Sequence, residues 1–170
     1  PVEVREAADE DEAARIWKGR KSAFGAMGQM GDYICLDGTI PVSELPGVLG
    51  RIGELSEAYG LRVANVFHAG DGNMHPLILF DANAPGQLET AEALGAEILK
   101  ACVEAGGCLT GEHGVGVEKR DLMDHQFAPA DLAAQMEVKD VFDPAWLLNP
   151  AKVFPLAASE ARRAGRLAAE

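Results

Sequence analysis

Two short glycine-rich segments carry most of the side chains in this sequence that could do chemistry. His68-Ala-Gly-Asp-Gly-Asn-Met-His75 sets two imidazoles on either side of a turn, and Gly111-Glu112-His113-Gly114-Val115-Gly116 sets a carboxylate beside a third. Imidazole and carboxylate are ligands that borderline divalent metals accept, and glycine lets a backbone turn sharply enough to aim several at one point. His68, His75 and Glu112 would make three protein ligands with a fourth position open, the pattern of a catalytic rather than a structural site. His113, next to Glu112 but pointing differently, would be left as a general base near a bound ligand. For either cluster alone, a histidine that hydrogen-bonds its own turn explains the residues as well. The metal reading therefore requires that the two clusters meet. Asp71 and Asn73 are assigned to holding the turn through side-chain to backbone bonds. Gly70 and Gly72 do not make a phosphate loop, because the following helix and third glycine are missing. His125, in an acidic helical stretch, reads as a surface histidine.

The flanking segments say how the clusters could meet. Residues 32–37 suit a strand ended by Gly38. Ser43 can cap a helix in which Leu45, Val48, Leu49, Ile52, Leu55 and Tyr59 recur at helical spacing, stopped by Gly60. Residues 61–67 and 76–80 read as two strands around the first cluster. Leu88, Ala91, Leu94, Ile98, Leu99, Cys102 and Val103 mark a second helix stopped by Gly106-Gly107, and residues 108–111 suit a last strand. The expected class is α+β, a ferredoxin-like βαββαβ antiparallel sheet with helices on one face and extra helices at both ends. In that topology both clusters fall at one edge of one sheet. The third and fourth strands stand two spacings apart, roughly 10 Å, a gap that His and Glu side chains can close.

Composition bounds the rest. The chain has 170 residues, 48% hydrophobic and 25% charged, enough for one well-cored domain. No apolar run reaches the roughly 20 residues a membrane span needs, and the acidic start at Glu3, Glu6, Asp9, Glu10, Asp11 and Glu12 is no signal peptide. A soluble protein in the cytoplasm is expected, with a peripheral place at the inner membrane as the other option. Cys35, Cys102 and Cys108 lack Cys-x-x-Cys spacing and are expected as buried, reduced thiols. A formal net charge of −12 argues against a nucleic-acid surface.

Longer motifs carry a family resemblance. Trp17-Lys-Gly-Arg20-Lys-Ser-Ala-Phe24, Leu36-Asp-Gly-Thr-Ile-Pro41, Val66-Phe-His68 through His75-Pro-Leu-Ile-Leu-Phe80, Gly111-Glu-His-Gly-Val-Gly116 and Asp143-Pro-Ala-Trp-Leu-Leu-Asn-Pro150 resemble the C-terminal part of the flavin subunits of bacterial glycolate oxidases. These belong to the FAD-linked 2-hydroxy acid dehydrogenases of the vanillyl-alcohol-oxidase fold type. The resemblance spans residues 12–155 and implies a substrate domain at 1–155, a tail at 156–170 and an FAD-binding domain not included, so that this piece alone would be inactive. It implies His68, His75 and Glu112 as ligands of a divalent metal, His113 as the base, Arg20 as the partner of the substrate carboxylate and Asn149 as a residue near the flavin. Zinc suits two histidines and a glutamate, and manganese, iron and cobalt accept the same set.

The implied reaction is oxidation of a small 2-hydroxy acid by hydride transfer to FAD, in a complex that includes an iron-sulfur subunit. Relatives acting on larger diacids resemble this chain but have lysine at the position of Cys35 and asparagine at that of Leu77. A monocarboxylate such as glycolate or D-lactate is therefore expected. Ala151 stands where glycine is common in the family. The alternatives are another D-2-hydroxy acid dehydrogenase of the same family, a metal-dependent hydrolase and a non-enzymatic ferredoxin-like metal-binding module.

Overall fold

The computed structural model describes residues 4–167, so Glu3 of the acidic start and residues 168–170 of the expected tail lie outside the described residues. The first helix, α1 (Glu10–Met27), starts where the Asp9 carboxylate accepts the Glu12 N–H at 2.8 Å, and it buries none of its residues. Strand β1 (Asp32–Cys35) follows, then a short strand β2 (Gly38–Thr39). A single 3-10 turn over Val42–Glu44 leads into α2 (Leu45–Tyr59). Ser43 does not cap this helix: it lies inside the 3-10 turn, and the chain enters α2 at Glu44 with no side-chain cap and Pro46 in the first turn. Gly60 ends α2 in the left-handed region, φ 67°, as its position after the apolar stripe predicts.

Strands β3 (Val63–Asn65), β4 (Asn73–Met74) and β5 (Pro76–Phe80) come next, followed by α3 (Gln87–Glu104), the short α4 (Met123–Gln126), α5 (Pro129–Phe142) and α6 (Leu156–Leu167). The main sheet is antiparallel in the order β1-β5-β3, with Cys35 opposite Leu77, Ile34 opposite Ile78 and Val63 also opposite Ile78. Its middle strand is buried along Pro76, Leu77, Ile78 and Leu79, which explains its unbroken apolar run. Ile78 faces the core with Ile52 and Leu55 of α2 and Leu94, Ile98 and Leu99 of α3. That periodic burial makes α2 and α3 stable on the sheet. The class is α+β, as expected.

The last expected strand is not formed. Residues 108–111 contribute one isolated bridge, between Thr39 and Cys108, because the chain turns away at once to make a different set of bonds. Strand β2 pairs with β4 in a second, two-stranded sheet, Gly38 opposite Met74 and Thr39 opposite Asn73. These small ladders sit beyond the end of β1 and draw both glycine clusters to one place. Approach is close: a Cβ on Gly107 would stand 1.7 Å from the Thr39 carbonyl oxygen. Of the three cysteines, all unpaired, Cys102 is buried, Cys35 half-buried and Cys108 exposed, so Cys108 corrects the expectation of a buried thiol. With no strand to carry it inward, its side chain faces solvent.

The terminal stretch from Leu156 is helical and anchored. Arg162 pairs with Asp140 of α5, and Ser159 is buried. No described helix is long and apolar enough to cross a membrane.

Gly107→Ala is expected to destabilise the fold by about 2 kcal/mol or more through overpacking against Thr39. Gly53→Ala, mid-helix with nothing within 4 Å, is expected to stabilise it by about 0.5–1 kcal/mol. Urea denaturation of the two variants checks both signs.

Candidate metal centre

His75 lies between β4 and β5 and is buried. Its Nδ1 is 2.9 Å from the Leu36 carbonyl oxygen. A carbonyl only accepts, so in the neutral ring Nδ1 carries the hydrogen and Nε2 presents its lone pair. That nitrogen faces Glu112, 3.1 Å from Oε1. His113 stacks on His75 with ring centroids 5.2 Å apart and planes 13° apart, and its Nε2 is 3.8 Å from the same Glu112 oxygen. His68 meets His75 edge-on at 5.3 Å. Arg20 and Phe24 from α1 and Cys35 from β1 complete a cavity of about 200 Å³ with these four residues. Arg20 is half-buried there and donates from Nη2 to the Phe67 carbonyl at 3.4 Å. Burial, helped by the charge of Asp37, pushes the Cys35 thiol up, so it lines the cavity as a neutral group.

Asp37 lies under this cavity, fully buried. Its Oδ2 accepts from the Thr110 hydroxyl at 2.6 Å, from the N–H groups of Gly111 at 2.9 Å and His113 at 2.8 Å, and from Lys119 Nζ at 3.3 Å. Glu112 N–H reaches both carboxylate oxygens at 3.1 Å. Burial alone would raise the Asp37 pKa. The Thr110 hydroxyl, the His113 and Glu112 amides and the Lys119 ammonium outweigh burial and hold it well below the usual carboxylate range.

Asp37, His75, Glu112 and His113 each offer a ligand atom, all within 4.8 Å of one another. Ligand atoms on a tetrahedral ion stand about 3.4 Å apart, given bond lengths near 2.0–2.1 Å, so small side-chain adjustments suffice to hold one. The donor set and the fixed tautomer of His75 fit a divalent metal. His68 stands outside that tightest group, on an exposed loop, yet lines the same cavity.

Residues 2–153 match the family described as FAD linked oxidases, C-terminal domain. This chain belongs to that family. It is 58% identical over 155 residues to the glycolate oxidase subunit GlcD of Escherichia coli (strain K12), across 91% of this chain and 31% of that protein. It is 35% identical to GlcD of Bacillus subtilis (strain 168), over 95% of this chain and 34% of the relative. Identity is 33% to the mitochondrial D-lactate dehydrogenase [cytochrome] of Kluyveromyces lactis, over 88% and 27%. The chain thus spans about a third of the length of these relatives.

Within this FAD-linked oxidase domain, the other singled-out residues lie as follows. Asn149 is exposed at φ 45° in the 146–153 segment and does not line the cavity. The turn after His68 is held by main chain, Asp71 N–H to His68 O and His68 N–H to Asn73 O, both at 3.0 Å. Asp71 is exposed and Asn73 Oδ1 is buried without a partner, so neither side chain does what the turn chemistry suggested. His125 is exposed and stands 3.6 Å from Glu104 of α3. Sequence reasoning missed Asp37, Thr110 and Lys119. The available signal was a carboxylate, Asp37, set between the apolar Leu36 and Ile40.

Because the folded pKa of Asp37 is depressed, its contribution to stability is present above its unfolded pKa of about 3.9 and is lost as pH falls through the lower folded value. Asp37→Asn is expected to cost about 3 kcal/mol at pH 7 by stranding Lys119 and the loop amides, with the gap to the wild type closing below about pH 4. Denaturant midpoints measured from pH 7 to pH 2 test the sign.

Proposed function

We propose that this chain is the substrate- and metal-binding part of an FAD-dependent oxidoreductase that oxidises the CH–OH group of a small 2-hydroxy acid, glycolate or D-lactate. The observation that carries this reading is the aim of His75 Nε2 at Glu112 Oε1, with His113 and Arg20 at the same cavity. His68, His75 and Glu112 are assigned as metal ligands, zinc first and manganese, iron or cobalt as the other candidates. The scaffold is read as a ferredoxin-like arrangement whose fourth strand is reduced to the Thr39–Cys108 bridge, with the functional unit ending near residue 155.

A divalent ion held there supplies a Lewis acid for the substrate hydroxyl, and FAD, bound mainly by another part of the enzyme, supplies the hydride acceptor. Arg20 binds the substrate carboxylate with the edge of its guanidinium not turned to Phe67. His113, half-exposed and stacked on His75, receives the hydroxyl proton at Nε2. Cys35 brings no second cation to the cavity wall, and Leu77, its buried strand partner, carries no charge, which fits a substrate with one carboxylate. Asn149 is assigned to the flavin side. The exposed apolar residues Trp17, Phe142, Leu147 and Leu148 suit a surface that the FAD-binding domain covers. The names of the GlcD relatives support partner subunits, among which we place an iron-sulfur subunit, and we assign the protein to the cytoplasm.

Elemental analysis of purified wild type is expected to give near-stoichiometric metal. His68→Ala, His75→Ala and Glu112→Ala should each lower affinity by more than the roughly 10- to 100-fold typical of an outer-shell change. His113→Ala should keep the metal and, in the flavin-bearing enzyme, lower kcat by about 10²- to 10⁴-fold. Metal retained in all three ligand variants would sink the assignment, and metal lost in His113→Ala but kept in His68→Ala would exchange the roles of those two residues.

A further inference from the structure

The dipeptide Leu36-Asp37, just past the end of β1, touches both glycine clusters. The Leu36 carbonyl fixes the ring of His75, and the Asp37 side chain gathers the loop that carries Glu112 and His113. Five donor groups converge on this one carboxylate: the Thr110 hydroxyl, three consecutive backbone N–H groups and the Lys119 ammonium. All five reach Oδ2, and Oδ1 takes only a share of the Glu112 N–H. The carboxylate is fully buried and Asp37 is not among the residues that line the cavity, so it is turned to the loop rather than to the open position even though it lies within reach of the other ligands. Three successive N–H groups pointing at one anion also fix the curvature of the main chain over residues 111–113. That curvature turns the Glu112 side chain toward His75, 3.1 Å away, and lays the His113 ring on it.

We propose that Asp37 is the positioning residue of this site: it does not ligate metal but holds residues 110–113 so that Glu112 and His113 face His75, with Thr110 and Lys119 completing its shell. This inference rests on the metal reading above, and its test separates the two. Cobalt(II) is titrated into the metal-free protein and followed by visible absorption, and amide hydrogen exchange at residues 111–113 is measured on the same samples without metal. Asp37→Asn keeps the shape but turns one acceptor into a donor facing the loop amides. Thr110→Val removes a single hydroxyl donor, and Thr110→Ser restores it.

Asp37→Asn is expected to weaken cobalt binding about 10- to 100-fold, to change its absorption and to speed exchange at the Glu112 and His113 amides. Thr110→Val should move the same readouts in the same direction, and Thr110→Ser should return them to wild-type values. Merely structural damage would not show that hydroxyl-dependent rescue. Wild-type cobalt affinity and wild-type exchange in both Asp37→Asn and Thr110→Val would overturn the proposal. So would altered cobalt absorption in Asp37→Asn with exchange unchanged, which would make Asp37 a ligand. If wild type binds no cobalt, the metal reading fails, and exchange alone decides: acceleration in the variants supports positioning and unchanged rates refute it. If Asp37→Asn does not fold, the Thr110 pair decides in the same way.

Discussion

The arrangement of this site depends on one buried carboxylate. Asp37 sits below the cavity floor and accepts hydrogen bonds from the Thr110 hydroxyl and from three consecutive amides, with Lys119 balancing its charge. Burying a charge is costly unless it is paired and fully hydrogen-bonded, and here both conditions are met. Asp37 ties down three consecutive amides of the loop that bears Glu112 and His113, and the neighbouring Leu36 carbonyl sets the ring of His75.

The rest of the fold serves this junction. Burial of β5 between its two partners, with α2 and α3 over Ile78, fixes the end of the strand on which His75 stands. The β2–β4 pair and the Thr39–Cys108 bridge then bring the second glycine cluster alongside. Helix α1 contributes Arg20 and Phe24 to the cavity although none of its residues is buried.

Much of this was legible in the sequence because the signals were periodic or local. The helices over Leu45–Tyr59 and Gln87–Glu104 follow from apolar spacing and glycine stops, and β5 from its apolar run. The last strand was misread, since Cys108 to Gly111 looks like a strand by composition while only the Cys108 amide pairs with Thr39 of β2; the Leu109 amide goes to the Gln126 side chain and the Gly111 amide to Asp37. For Asp37 the only local sign was a carboxylate between the apolar Leu36 and Ile40; its partners lie more than seventy residues away, so its role could not be read from spacing. The joining of His75, Glu112 and His113 could be reasoned from topology, whereas the position of His68 outside the tightest group depends on loop geometry that no spacing rule supplies.

The most direct test of the central claim is anomalous diffraction from crystals of the protein grown with zinc or manganese. One ion is expected, bonded to His75 Nε2 and a Glu112 oxygen at about 2.0–2.2 Å, with a histidine from the opposite side and an open position toward Arg20. An anomalous peak elsewhere, or none at saturating metal with His75 and Glu112 still in direct contact, would contradict the account.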